Sequence, residues 1–190
     1  VQKYLDALKP LGLNGGVTPP NIFLSPENVM WAQKYLSGIG DGEALLGIAP
    51  MAAWFTKKWF RERFRAVAEK ARDELSARVV YFGSEEERNS IEELAGESAP
   101  IVTGDMGIRN LAAVIAKCSL LLTNDSGLMH LATAVGTPVV AIFGPTTREL
   151  GFFPLGPNDV VVEKDVSCRP CTLHGNNDCP KGHFKCMDFI

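Results

Sequence analysis

Between two apolar runs the chain reads "TNDSGLMHLATAVGTPVVAIFGPT", residues 123–146. A carboxylate, a hydroxyl, a glycine and an imidazole (Asp125, Ser126, Gly127 and His130) stand where a buried strand gives way to a buried helix. A connection of that kind needs only a cap and a turn residue. Gly127 at the helix start puts no Cβ in a ligand's way, and the first N–H groups of a helix lack partners inside it. Such an end attracts phosphate. The attraction is about 0.3–1 kcal/mol, and at best about 2, whereas micromolar binding takes about 8 kcal/mol. The helix end therefore cannot act alone. Lys57 or Lys58, in "PMAAWFTKKW" after another apolar run, is the obvious supplementary charge. A carboxylate beside a diphosphate would repel it, so Asp125 is expected to cap the helix or to turn toward the hydroxyls of an attached sugar. His130 follows Ser126 by four residues and shares its helix face, from which it can donate to a ligand oxygen.

Each of these residues also has a plain structural reading. Asp125 or Ser126 can be a simple N-cap, His130 a structural histidine, and the two lysines a solvated lead-in to a helix. Glu85, Glu86 and Glu87 can merely complement a helix N-terminus. Their joint placement is what argues for a site. Odd residues follow "ALLGIA", "RVVYF", "SLLLT" and "PVVAIF", four of the apolar runs that read as strands.

The elements that must position these residues come from periodicity. "ALLGIA" (44–49), "RVVYF" (78–82), "APIVTG", "SLLLT" (119–123) and "PVVAIF" (138–143) are short apolar runs without alternation. Between them lie helical patterns. One runs from about Phe60 to Leu75, with Phe60, Phe64, Val67, Ala68, Ala71 and Leu75 on one face. Another is "EEERNSIEELA", and a third is "IRNLAAVIAKC", with Ile108, Leu111, Ala112 and Ile115 inward. A helix over 126–135 buries Leu128, Leu131, Ala132 and Val135 and stops at Gly136. Alternating strands and helices of this type predict an α/β fold with a doubly wound parallel sheet. In such sheets ligands bind beyond the carboxyl ends of the strands, where all four odd loops fall. Upstream, a helix is expected from Pro26 to about Leu36, capped by Ser25, and "SGIGDGE" breaks it.

Composition bounds the rest. With 46% hydrophobic and 22% charged residues in 190, the chain has an ordinary globular composition, and its net charge of −3 gives no basic field for nucleic acid. No apolar run approaches the roughly 20 residues of a membrane span, and nothing at the N-terminus reads as a signal peptide. The start at Val1, already inside a helical pattern, reads as a fragment of a longer protein. Cys118 is isolated in a helix pattern, and Cys168, Cys171, Cys179 and Cys186 crowd the tail, which suits a reducing cytosol. A C-x2-C pair followed by two more thiols can make a four-thiolate metal site. The second pair, C-x6-C, is wider than the usual clip, so reduced thiols or adventitious disulfides are the alternatives. His174 and His183 are either further ligands or surface loop residues.

"NDSGLMHLATAVGTPVVAIFGPT" resembles the signature of glycosyltransferase family 9, the lipopolysaccharide heptosyltransferases. "AAWFTKKWFRERF", "YFGSEEER" and "GDMGIRNLAAVIAKCSLLLTNDSG" are similar to further segments of that family, and "CRPC…CPKGHFKCM" to a heptosyltransferase II-like tail. Phe60 departs from the family, in which many members have proline after the tryptophan. The resemblance covers roughly residues 45–190 and implies the C-terminal, Rossmann-like half of a two-domain GT-B enzyme. Residues 1–44 would be the end of the missing N-terminal domain plus a linker; residues 45–190 would be the nucleotide-sugar domain, with the Cys-rich tail at 168–186. The implied activity is inverting heptose transfer from ADP-heptose to the lipopolysaccharide inner core. No cofactor is required, and the catalytic base belongs to the absent half. By the same resemblance Lys57 binds the diphosphate, Glu87 the ribose and Met106 lies near the adenine. Asp125, Ser126, Gly127 and His130 line the diphosphate and sugar. The implied partners are the donor and the lipopolysaccharide core acceptor, with peripheral membrane contact by the full-length protein at the cytoplasmic face of the inner membrane. The rival readings are a sugar-nucleotide epimerase of the same architecture and a non-catalytic module in which the cysteine tail binds zinc or a protein. A NAD dehydrogenase is disfavoured, because no G-x-G-x-x-G follows any strand.

Overall fold

The structure is a computed structural model that describes residues 2–39, 44–96 and 99–190. The expected helix break "SGIGDGE" falls in part on residues 40–43, outside the described residues. Six strands form one sheet: β1 (Leu45–Ala49), β2 (Arg78–Gly83), β3 (Ile101–Thr103), β4 (Leu120–Asn124), β5 (Val139–Phe143) and β6 (Val160–Glu163). Their order is β3-β2-β1-β4-β5-β6, and every pairing is parallel. The helices are α1 (Gln2–Asp6), α2 (Pro26–Leu36), α3 (Arg61–Leu75), α4 (Arg88–Ala95), α5 (Ile108–Ile115), α6 (Gly127–Val135) and α7 (Lys185–Asp188).

Strands that read as unbroken apolar runs must be covered on both faces, and these are. On one face α2, α5 and α6 pack over Val80, Phe82, Leu121 and Phe143 through Ala32, Leu36, Ala112, Met129 and Ala132. On the other, α3, α4 and α7 cover Ile48, Tyr81 and Ile142 with Phe64, Ala68, Ile91 and Met187. The chain leaves β1 toward β2 and β3, then returns to the other side of β1 for β4. The loops after β1 and β4 therefore part at the carboxyl edge and leave a crevice there.

Helix α2 starts as its sequence demands. The Ser25 hydroxyl accepts from Asn28 N, the Asn28 side chain accepts from Ser25 N at 3.1 Å, and Pro26 occupies the first turn. Three helix faces differ in detail from the periodic reading. Val67 and Leu75 lie at the exposed margin of the α3 stripe, which buries Phe64, Ala68 and Ala71. Met129 is wholly buried on α6, whereas Leu128 and Val135 are only partly so. Ile108, expected inward, is 65% exposed, because the first turn of α5 projects past the strand ends into the crevice. Strand β6 has no counterpart among the apolar runs of the sequence reading. It pairs only with β5 at the sheet margin, so its valines are half-exposed and carry a weak burial pattern. Asp159 fixes its start by accepting from Gly156 N, Val139 N and the Thr133 hydroxyl.

Candidate functional site

The last residue of β4 organises the crevice. Asn124 is fully buried; its Oδ1 accepts from Trp59 N at 3.0 Å and its Nδ2 donates to Pro50 O at 2.8 Å. One amide thus fastens both ends of the loop that joins β1 to α3. Within that loop a 3-10 turn, Phe55–Lys57, buries Thr56 and Lys57. Lys58 closes the turn through its N–H to Phe55 O. Lys57 is the lysine that reaches the carboxylate: its Nζ lies 2.6 Å from Asp125 Oδ2, and the Thr146 hydroxyl donates to the same oxygen at 2.8 Å. Lys57, Asp125 and Thr146 are all buried.

Asp125 is therefore not the cap of α6. The N-cap residue is Ser126, in extended conformation, and no side chain caps the helix. Ser126 Oγ pairs instead with the Thr123 hydroxyl at 3.1 Å. The amide-rich start of α6 keeps its unpaired donors, and a Cβ built on Gly127 meets nothing within 4 Å. That end opens on a cavity of about 590 Å³, whose wall includes Ser126, Gly127, His130 and Glu87, with apolar cover from Met51 and Ile108. A second cavity, of about 600 Å³, lies at the other end of α6. Among the described residues the only titratable group on its wall is Asp159, already engaged with three donors, so volume alone does not choose the site.

Glu87 sits at the start of α4, where its Oε2 accepts from Ser84 N at 2.8 Å. This carboxylate closes over Gly83, and a Cβ there would lie 2.5 Å from Ile91 Cδ1 and 3.1 Å from Glu87 Oε2. Close approach, not backbone conformation, requires that glycine. His130 faces solvent on the cavity wall. Desolvation by the surrounding protein nevertheless pushes its pKa down, an effect opposed by the Asp125 carboxylate and reinforced by the Lys57 ammonium.

Of the residues singled out by sequence, Glu87, Ser126, Gly127 and His130 share one cavity. Lys57 and Asp125 are not on its wall but lie close enough to act on His130. Met106 packs beside the core on the α2 and α5 side and is also off the wall. Sequence reasoning passed over Asn124 and gave Thr146 no role. The available signals were a polar amide ending an apolar strand and a hydroxyl just beyond the next one.

The tail cysteines are free thiols, Cys186 buried and the other three partly so. Among the described residues no three His, Cys, Asp or Glu side chains are arranged to hold a metal. His183 Nε2 is 3.8 Å from Cys168 Sγ, and the His174 ring leans on Phe152. Burial pushes the Cys118 thiol up to about 12, which makes it an inert core residue.

A family model for glycosyltransferase family 9 (heptosyltransferase) matches residues 1–180. The chain belongs to that family. Lipooligosaccharide heptosyltransferase 2 of Campylobacter jejuni is 33% identical over an alignment of 155 residues that covers 77% of this chain and 48% of that protein. A solved family 9 glycosyltransferase from Veillonella parvula superposes with a TM-score of 0.74 at 30% identity, covering 86% of this chain and 48% of its own. E. coli heptosyltransferase WaaC with ADP gives a TM-score of 0.58 at 25% identity over 81% of this chain and 46% of its own. This family 9 chain thus spans about half the length of these relatives. The sheet and its helices form a Rossmann-like unit of the kind found in GT-B glycosyltransferases.

Proposed function

We propose that this chain is the donor-binding half of an inverting heptosyltransferase that takes heptose from ADP-heptose and delivers it to a lipopolysaccharide inner core. The observation that carries the reading is the uncapped start of α6, opening on the cavity at the strand-order reversal. The relatives support it by name, as heptosyltransferases and as a structure with ADP. Lys57 compensates the Asp125 charge, which answers the repulsion that a lone carboxylate would exert on a diphosphate, and keeps further N–H donors for a phosphate oxygen. Glu87 suits a ribose hydroxyl, and Met106 would border the adenine.

In the reaction proposed, a base from outside this unit deprotonates the acceptor hydroxyl, which attacks the anomeric carbon while ADP departs. Negative charge grows on the leaving diphosphate. Fixed N–H groups aimed at it stabilise that state more than the ground state, and each ~1.36 kcal/mol of such preference is tenfold in rate. Among the described residues no helix is long and apolar enough to cross a membrane. We place the enzyme in the cytoplasm, meeting its acceptor at the inner-membrane face.

Calorimetry on the 190-residue chain is expected to show ADP binding at least tenfold tighter than adenosine, with no heptose transfer by this chain alone. Equal affinities would remove the diphosphate site.

His130 adds a pH test. Its pKa in the free protein is held below the ordinary value by desolvation, and a diphosphate bound beside it would raise it. Binding therefore takes up a proton, so affinity rises as pH falls from the bound-state pKa to the free-state one. ADP-ribose is the suitable probe, because a diphosphate diester has no ionisation of its own in that range. Calorimetry in buffers of different ionisation enthalpy should detect proton uptake by the wild type and none by His130→Asn. An affinity flat with pH would take His130 away from the phosphates.

A further inference from the structure

We propose that the cysteine-bearing tail, residues 168–187, is a clamp that positions the Lys57 loop and the Thr146 loop against Asp125. The two loops approach Asp125 from different strand ends, and neither belongs to a long regular element. The tail grips both.

On the β5 side, Arg169 Nη2 donates to Thr146 O at 2.7 Å and Cys171 N donates to Pro145 O at 3.2 Å. Met187 lies so close to Gly144 that a Cβ there would meet Met187 Cε at 2.7 Å. On the β1 side, Thr56 N and the Thr56 hydroxyl both donate to Asn176 O at 3.0 Å, and the hydroxyl accepts from Asn176 N at 2.8 Å. Thr56 is buried and adjoins Lys57, so anchoring it sets the direction in which Lys57 leaves the backbone. Gly175 adopts φ +115°, and a Cβ on it would lie 2.5 Å from Trp54 Cβ. Phe184 stacks on Phe55 at 5.3 Å and meets Phe60 edge-on at 5.9 Å. The phenylalanine that replaces the family's common proline thus joins the same contact. A chain of contacts runs from the tail through Thr146 to Asp125, and back to the tail through Lys57 and Thr56.

These contacts make the test selective. Asn176 uses only its backbone, so Asn176→Ala leaves the clamp intact, whereas Thr56→Val removes the bridging hydroxyl and Gly175→Ala forces Trp54 away. Thr56→Ser restores the hydroxyl. Brief acetylation of the folded full chain, with Lys57 modification read by peptide mass spectrometry against exposed Lys34, reports whether the lysine stays buried on Asp125. Lys57 acetylation is expected to rise at least fivefold in Gly175→Ala and Thr56→Val, and to match the wild type in Asn176→Ala and Thr56→Ser. Should Gly175→Ala not fold, Thr56→Val decides. Unchanged Lys57 protection in Thr56→Val overturns the clamp.

The consequence for ligand rests on the donor-site reading above. ADP affinity should fall about tenfold in Thr56→Val while adenosine affinity holds. Release of Lys57 without any change in ADP binding leaves the clamp standing and sinks the donor role of Lys57 instead.

Discussion

Lys57→Met is expected to destabilise the fold by about 3–5 kcal/mol and to weaken ADP at least tenfold, with adenosine unaffected. Adding Asp125→Asn should recover most of the stability and none of the ADP affinity. The first loss follows from burial. The two side chains are 11% and 5% exposed and meet at 2.6 Å, so removing the ammonium strands a carboxylate in the interior, a change that costs about 3–5 kcal/mol. Neutralising both partners removes that penalty, and the Thr146 hydroxyl can still donate to the amide oxygen that Asp125→Asn leaves in place of the carboxylate. The second loss is separate. A charge-assisted hydrogen bond to phosphate contributes about 1.5–3 kcal/mol, and adenosine has no phosphate to report it. The double variant therefore distinguishes two roles for Lys57. If the lysine only neutralises Asp125, the double variant binds ADP as the wild type does. If it also contacts the diphosphate, ADP affinity stays low. Urea midpoints at unchanged slope measure the stability terms, and calorimetry well below the unfolding temperature measures the ligand terms.

The same pair shows how far sequence can carry the argument. The sheet was legible because its strands are buried on both faces and so read as unbroken apolar runs. The cavity at the carboxyl edge was legible because the unusual residues that line it follow those runs. Asp125 and Lys57 were both singled out, but not as each other's partner, since residue type reveals a charge and not the loop that will face it. Charge repulsion argued that the carboxylate would not touch a diphosphate, and the structure pairs it with Lys57 instead of leaving it alone. The cap role expected for it failed because Ser126 takes the N-cap position and Lys57 arrives from another strand end. Ile108 illustrates the opposite limit. A helical stripe marks apolar side chains but does not say whether they meet the sheet or the wall of an open cavity. Asn124 carries two buried hydrogen bonds that hold the loop after β1. In sequence it is one polar letter at the end of an apolar strand. The tail was read for its thiols, whereas much of its contact with the site runs through backbone atoms of Cys171 and Asn176, which no side-chain pattern records.

The electrostatics of the crevice follow from that arrangement. Lys57 and Asp125 together bring no net charge to the cavity, and desolvation by the surrounding protein favours the neutral form of His130. On the donor-site reading, what would attract an anion is the start of α6, the remaining N–H groups of Lys57 behind the cavity wall and a proton taken up by His130. Each is modest alone. On the proposed donor-site reading, a site built this way would bind a diphosphate by converging donors more than by bulk charge. Its affinity should accordingly depend steeply on steric access to the helix start.

Gly127 offers the cleanest measure of that access. Gly127→Ala should keep or raise stability, by up to ~1 kcal/mol, because alanine is the better helix residue and its methyl meets no atom of the packed surroundings within 4 Å. The same methyl points into the space that the donor's phosphate would occupy, so ADP affinity should drop more than tenfold. Gly127→Val extends the obstruction and should abolish binding, with stability still near that of the wild type. Stability and affinity moving in opposite directions cannot be produced by unfolding, which sets this substitution apart from any change at Lys57. Thermal melts and ADP calorimetry on the two variants provide both quantities. If alanine and valine at this position leave ADP binding untouched, the phosphate does not lie at the start of α6, and the donor-site reading loses the observation on which it stands.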